Sequence, residues 1–166
     1  MKNPGWLRWV RLESSAHAGQ VHKELGGQAR IEFMASVFVT KAREPDPEET
    51  DNQHPHAHIA FGGVYFFLYP AILRLRDQTG ELIDPQTDAF FDGATLDELE
   101  RFVSESRHGV LAEPNVWEQR VGASLPIGEP RHERTSQAAV LELLDQIDRA
   151  IVLARKGRAG VFFMGE

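Results

Sequence analysis

Three histidines alternate along His54-Pro55-His56-Ala57-His58, and Ile59-Ala60-Phe61-Gly62-Gly63 follows them. A neutral imidazole can hold zinc or another divalent transition metal, and it can also take part in phosphoryl transfer. In a strand, side chains two apart point the same way with Cα atoms roughly 6.5–7 Å apart. Neighbouring histidines of the triplet could therefore share one ion, whereas His54 and His58 could not. The plainer alternative is a solvated loop end. Pro55 has no amide for a strand ladder, which places His54 and His56 in a loop or on a sheet edge. Two ligands do not complete a metal site. Ile59 to Tyr69 supplies no carboxylate, and His17, His22, His108 and His132 are scattered along the chain. Asp84, Asp88 and Asp92 sit in ordinary turn contexts. The sequence shows no Gly-rich phosphate loop, serine elbow or metalloprotease helix motif, and Gly62-Gly63 alone does not specify a phosphate site.

Immediately before the histidines, residues 44–53 carry Glu44, Asp46, Glu48, Glu49 and Asp51 with Pro45 and Pro47 and no apolar anchor. Such a composition predicts an exposed, solvated loop. The same carboxylates can steer a basic protein partner, raising the association rate more than the final affinity. Trp6, Trp9, Tyr65 and Tyr69 are candidate aromatic anchors for that partner. The net charge of −7, with 18 Lys and Arg dispersed along the chain, argues against a nucleic-acid phosphate binder.

The elements that must position these residues follow from hydrophobic period. At 166 residues, 42% hydrophobic and 26% charged, the chain is read as one domain, able to bury about two-thirds of its unfolded surface without a metal or disulfide. The absence of cysteine excludes disulfides and thiolate metal sites and fits a reducing compartment. No signal-peptide pattern opens the sequence, and the longest apolar stretch, Ile59 to Leu73, is broken by Gly62, Gly63 and Pro70. The expectation is a cytoplasmic protein with no membrane span.

Trp6–Leu12 reads as a first strand. Over Ala29–Thr40, Ile31, Phe33, Ala35, Val37 and Val39 repeat every second residue, which predicts a strand with one face on the core. Ile59–Tyr69, Ala71–Arg76 and Glu81–Ile83 read as further strands. Thr95-Leu96-Asp97-Glu98 has the form of a capping box, and Leu96, Leu99, Phe102, Val103 and Val110 make the stripe of a helix reaching about Leu111. Trp117–Gly122 reads as a strand. Thr135 or Ser136 opens a second helix with stripe Val140, Leu144, Ile147 and Ile151 and with Gly157 as its C-terminal cap. Val161–Met164 closes the chain as a strand. The resulting expectation is an α+β fold: a largely antiparallel sheet of about five to seven strands with two helices packed on one face.

Two resemblances bear on function. His54 to Gly63 resembles the signature of histidine-triad nucleotide hydrolases and transferases, which implies His56 as the nucleophile and His58 as a phosphate or leaving-group contact. Over a longer span, Tyr69-Pro70, Ile83-Asp84-Pro85, Leu96 with Leu99, Pro114 with Trp117, Val121-Gly122 and Val161-Phe162-Phe163-Met164-Gly165-Glu166 resemble small bacterial immunity proteins encoded beside polymorphic toxins. This resemblance implies a non-enzymatic role, the neutralisation of a toxin by binding, with no cofactor. The expectation is thus a protein-binding module whose acidic run meets a basic toxin. The alternative is a histidine-dependent enzyme or metal-binding protein using His54, His56 and His58.

Overall fold

The computed structural model describes residues 34–51, 53–124 and 129–165. Trp6–Leu12, Ile31 and Phe33, like Trp9, His17 and His22, lie outside the described residues. The fold is α+β. Strand β1 (Met34–Thr40) is followed by a short helix α1 (Pro47–Asp51), β2 (Ala57–Ala60), α2 (Gly63–Thr79), β3 (Ala89–Phe91) and α3 (Gly93–Leu111). A hairpin of β4 (Val116–Ser124) and β5 (Glu129–Ser136) then leads to α4 (Gln137–Gly157) and β6 (Gly160–Gly165).

Four strands form one antiparallel sheet in the order β2-β1-β6-β3, and β4-β5 is a separate two-stranded sheet. The expected alternation of β1 is present and sorts the sheet into two faces. Ala35 and Val37 join Ala57, Ile59, Phe91, Val161 and Phe163 in the main core beneath the long helices. The other face carries a smaller cluster of Phe38, Phe90 and Phe162, with Met164 against it. Both faces of β1 are therefore apolar, which explains why Phe38 interrupts a simple inside-outside pattern.

One expectation fails outright. The segments Ile59–Tyr69 and Ala71–Arg76 do not form two strands; all but the four residues before Gly63 belong to helix α2. Tyr65, Leu68, Ile72 and Leu75 are its buried side chains, a three-and-four spacing that marks one helical face. Pro70 lies inside this helix and is exposed, so its missing amide falls on the solvent side. Consequently three long helices, rather than two, accompany the sheet, and the six strands divide four and two instead of forming one sheet. Glu81–Ile83 is also not a strand. The strand that follows, at an edge of the sheet, is Ala89–Phe91, paired with β6.

The two remaining helices appear with shifted ends. Asp92, rather than Thr95, precedes the first turn of α3, and Thr95 Oγ1 accepts the Asp92 amide at 2.9 Å. Helix α4 starts after Ser136, whose hydroxyl accepts the Ala139 amide at 3.2 Å. Gly157 is its last helical residue, and the left-handed position falls on Arg158 (φ 50°). Arg155 on α4 bridges to Asp97 and Glu100 on α3 at 2.7 and 2.5 Å, tying the pair on its exposed side.

Candidate functional site

The expected acidic loop contains the five-residue helix α1. Asp46 starts it by accepting the Glu48 amide through Oδ1 at 3.0 Å, while Thr50 turns inward and is buried. Glu44, Asp46, Glu48 and Asp51 are exposed. Glu49 belongs to α1, but its side chain lies outside the described part. Glu44 and Asp51 form no ion pair among the described residues, so they present uncompensated negative charge to solvent. Of the proposed anchors on described residues, Tyr69 is half-buried but Tyr65 is only 1% exposed. Tyr65 is a core residue: its hydroxyl donates towards the Ile83 carbonyl at 3.5 Å and Asp84 Oδ2 at 3.4 Å. Burial, reinforced by the Asp84 carboxylate, pushes its phenol above the usual tyrosine range.

The histidine triplet straddles the start of β2. His54 is exposed and His56 half-buried, both ahead of the strand, and the His56 amide donates to the Val37 carbonyl at 2.8 Å. Only His58 lies within β2. It pairs across the ladder with Ser36, whose Oγ is 3.1 Å from His58 Nδ1. Pro55 thus acts as the sequence suggests, keeping two of the three rings off the strand. Among the described residues, no three His, Asp or Glu side chains converge in a metal-holding group. His108 bonds the Ser104 carbonyl on α3, and His132 lies on the β4-β5 hairpin opposite Arg120.

The Gly62-Gly63 pair has a packing reason. The Gly63 amide, at the start of α2, donates to Glu133 Oε2 of β5 at 3.1 Å. A Cβ on Gly63 would lie 1.9 Å from Thr135 Oγ1, and one on Gly62 would lie 2.9 Å from Glu133 Oε2. Glycine therefore lets the helix N-terminus abut the hairpin, where a carboxylate meets its positive end.

Beside this junction opens a cleft of about 340 Å³ between β2 and α4. Its strand wall is His58, Ile59 and Ala60, and its helix wall is Ala139, Glu142, Leu143 and Gln146. Sequence reasoning missed this feature because it arises from the packing of α4 beside an edge strand of only four residues. A second cleft, about 480 Å³, lies near β3 and mixes Lys41, Arg155 and Arg158 with Asp92. Among the described residues, no helix is long and apolar enough to cross a membrane. Compared with protein-family models, curated proteins and solved structures, the chain matches none of them.

Proposed function

We propose that the chain is a non-enzymatic protein-binding module, an immunity protein that neutralises a basic toxin by occluding it. The observation that carries this reading is the exposed acidic segment, in which Glu44, Asp46, Glu48 and Asp51 reach solvent around a short capped helix. A capped turn holds these carboxylates in a narrower range of positions than a coil would, so less ordering is needed on binding. The overall charge of −7 has the same sign and extends the attraction beyond the segment itself.

The test is co-expression with the product of the adjacent gene. That product should arrest growth alone, be harmless beside this chain, and copurify with it. A neighbour that is harmless by itself, or that does not copurify, overturns the reading. With a copurifying partner, the charge reversals Glu44→Lys and Glu48→Lys together should slow association about tenfold at low salt and much less at high salt. An unchanged rate removes the acidic segment from the interface.

A further inference from the structure

The cleft beside β2 has the walls of a strand-addition site. Consecutive residues of a strand point to opposite faces of its sheet, so a cleft touched by His58, Ile59 and Ala60 together must lie against the strand's edge, where the backbone is reached. That edge is the end of the four-stranded sheet, and among the described residues no side chain bonds to the β2 backbone there. Unpaired strand N–H and C=O groups are a template for another extended chain. The facing wall is a single stripe of α4, with Ala139, Glu142, Leu143 and Gln146 at successive spacings of three, one and three.

We infer that an extended segment of a partner protein, alternating apolar with basic residues, docks in this groove as an added antiparallel or parallel strand beside β2. The inference rests on the reading of the chain as a partner-binding protein, but on a different surface from the acidic segment. Charge selects the occupant. Glu142 is the carboxylate side chain on the lining, it is exposed, and it makes no hydrogen bond or ion pair among the described residues; no Lys or Arg lines the cleft. Exposed Ala60 and Ala139 and half-buried Val64 offer apolar contact to the guest, while Glu142 meets a Lys or Arg of it. Main-chain bonds to β2 supply register, and the α4 stripe supplies selectivity.

The experiment titrates the isotope-labelled full chain with three short end-capped peptides: one alternating Lys and Val, one alternating Glu and Val, and one alternating Lys and Pro. The Lys and Val peptide should shift the amide signals of His58, Ile59, Ala60 and Leu143 saturably and slow hydrogen exchange along β2. The Pro peptide, which lacks alternate amides, should bind at least about tenfold more weakly. Ala139→Trp, which fills the groove from an exposed helix position, should weaken the Lys and Val peptide about tenfold. Glu142→Lys, a surface change that leaves the core untouched, should reverse the preference between the Lys and Glu peptides. No saturable shift at β2, equal binding of the Pro peptide, or indifference to both substitutions overturns the inference. So does sedimentation showing that β2 instead pairs with a second copy, as a dimer abolished by Ala139→Trp and insensitive to peptide. Glu44→Lys with Glu48→Lys separates the two surfaces. If that pair weakens the peptide as much as the groove variants do, the acidic segment binds it and the groove inference fails while the partner-binding reading stands. If groove binding persists but no toxin copurifies, the immunity reading fails alone.

Discussion

The two edges of the four-stranded sheet are finished in opposite ways. At the β3 edge the Phe90 amide, which would otherwise face solvent, donates to Glu81 Oε2 at 3.1 Å, and Arg43 pairs with the other oxygen of the same carboxylate. The strand is three residues long. Brevity and a bonded carboxylate are both devices that stop an edge from recruiting another chain. At the β2 edge the backbone instead borders an open groove with α4 as its far wall. The contrast teaches that this fold can close an edge with a side chain, and that among the described residues no side chain bonds the β2 edge in the same way.

The sharpest way to break this comparison is through the glycine that lets each side close up. Gly160 begins β6 against β3, and a Cβ there would lie 2.4 Å from the Phe90 ring and 2.7 Å from the Phe91 carbonyl oxygen. The backbone atom cannot rotate away, so Gly160→Ala should cost about 3 kcal/mol or more in urea unfolding. Gly63 stands at the β2 side, where the nearest obstacle is the Thr135 hydroxyl at 1.9 Å. Gly63→Ala should cost about 2 kcal/mol, and Thr135→Ala in the same chain should return part of it, because Thr135 Cβ is at 3.3 Å. If Gly63→Ala is neutral, or if Thr135→Ala rescues nothing, the close junction of α2 with the hairpin is not what fixes the end of the groove.

A smaller effect sharpens the edge argument itself. Glu81→Ala removes the acceptor of the Phe90 amide and the partner of Arg43, and should lower stability by about 1.5 kcal/mol. Glu81→Gln retains an acceptor oxygen and should lose less. The decisive readout is self-association: exposing the β3 amide should raise concentration-dependent scattering in Glu81→Ala, and restoring Gln should suppress it. Equal scattering in the wild-type chain and both variants would mean that the Glu81 bond does not protect the edge.

How much of this was legible in the sequence depends on whether a local pattern or a tertiary contact sets the feature. The period of two in Ala35, Val37 and Val39 is local, and β1 occupies the described part of the predicted span, Met34–Thr40. The stripes Leu96-Leu99-Phe102-Val103-Val110 and Val140-Leu144-Ile147-Ile151 are also local, and every one of these residues is buried. Helix α2 is hard to read because Val64 to Leu75 is apolar almost throughout, so a period of two fits it nearly as well as a period of 3.6. The helix signal within it is the spacing of Tyr65, Leu68, Ile72 and Leu75, which are its buried side chains. The hairpin partner β5 has a polar, charged sequence, Glu129 to Ser136, with no strand period to read; pairing with β4 imposes it. The acidic segment was legible as exposed because composition alone decides solvation there. The groove was not, since its walls come from residues about eighty positions apart that meet only after α4 packs on the sheet.

Tyr65 offers the smallest and most discriminating test, because it joins the β2 side of the molecule to the connection that leads into β3. Its ring packs within α2, and its hydroxyl reaches Ile83 and Asp84 beyond the end of that helix. The folded phenol titrates above the unfolded value of about 10. The sign follows: the folded state holds the proton more tightly, so the contribution is constant at pH values below the unfolded value and is lost progressively as pH rises above it, when the unfolded chain ionises first. Tyr65→Phe should cost only about 0.5 kcal/mol at neutral pH, since both hydrogen bonds are long. Above pH of about 10 it should flatten the decline of stability measured by urea unfolding, relative to the wild-type chain. An alkaline profile unchanged by Tyr65→Phe would show that the phenol is not the group linking the two sides to pH, and that the Ile83–Asp84 turn is held by its own Thr87-to-Asp84 backbone bond instead.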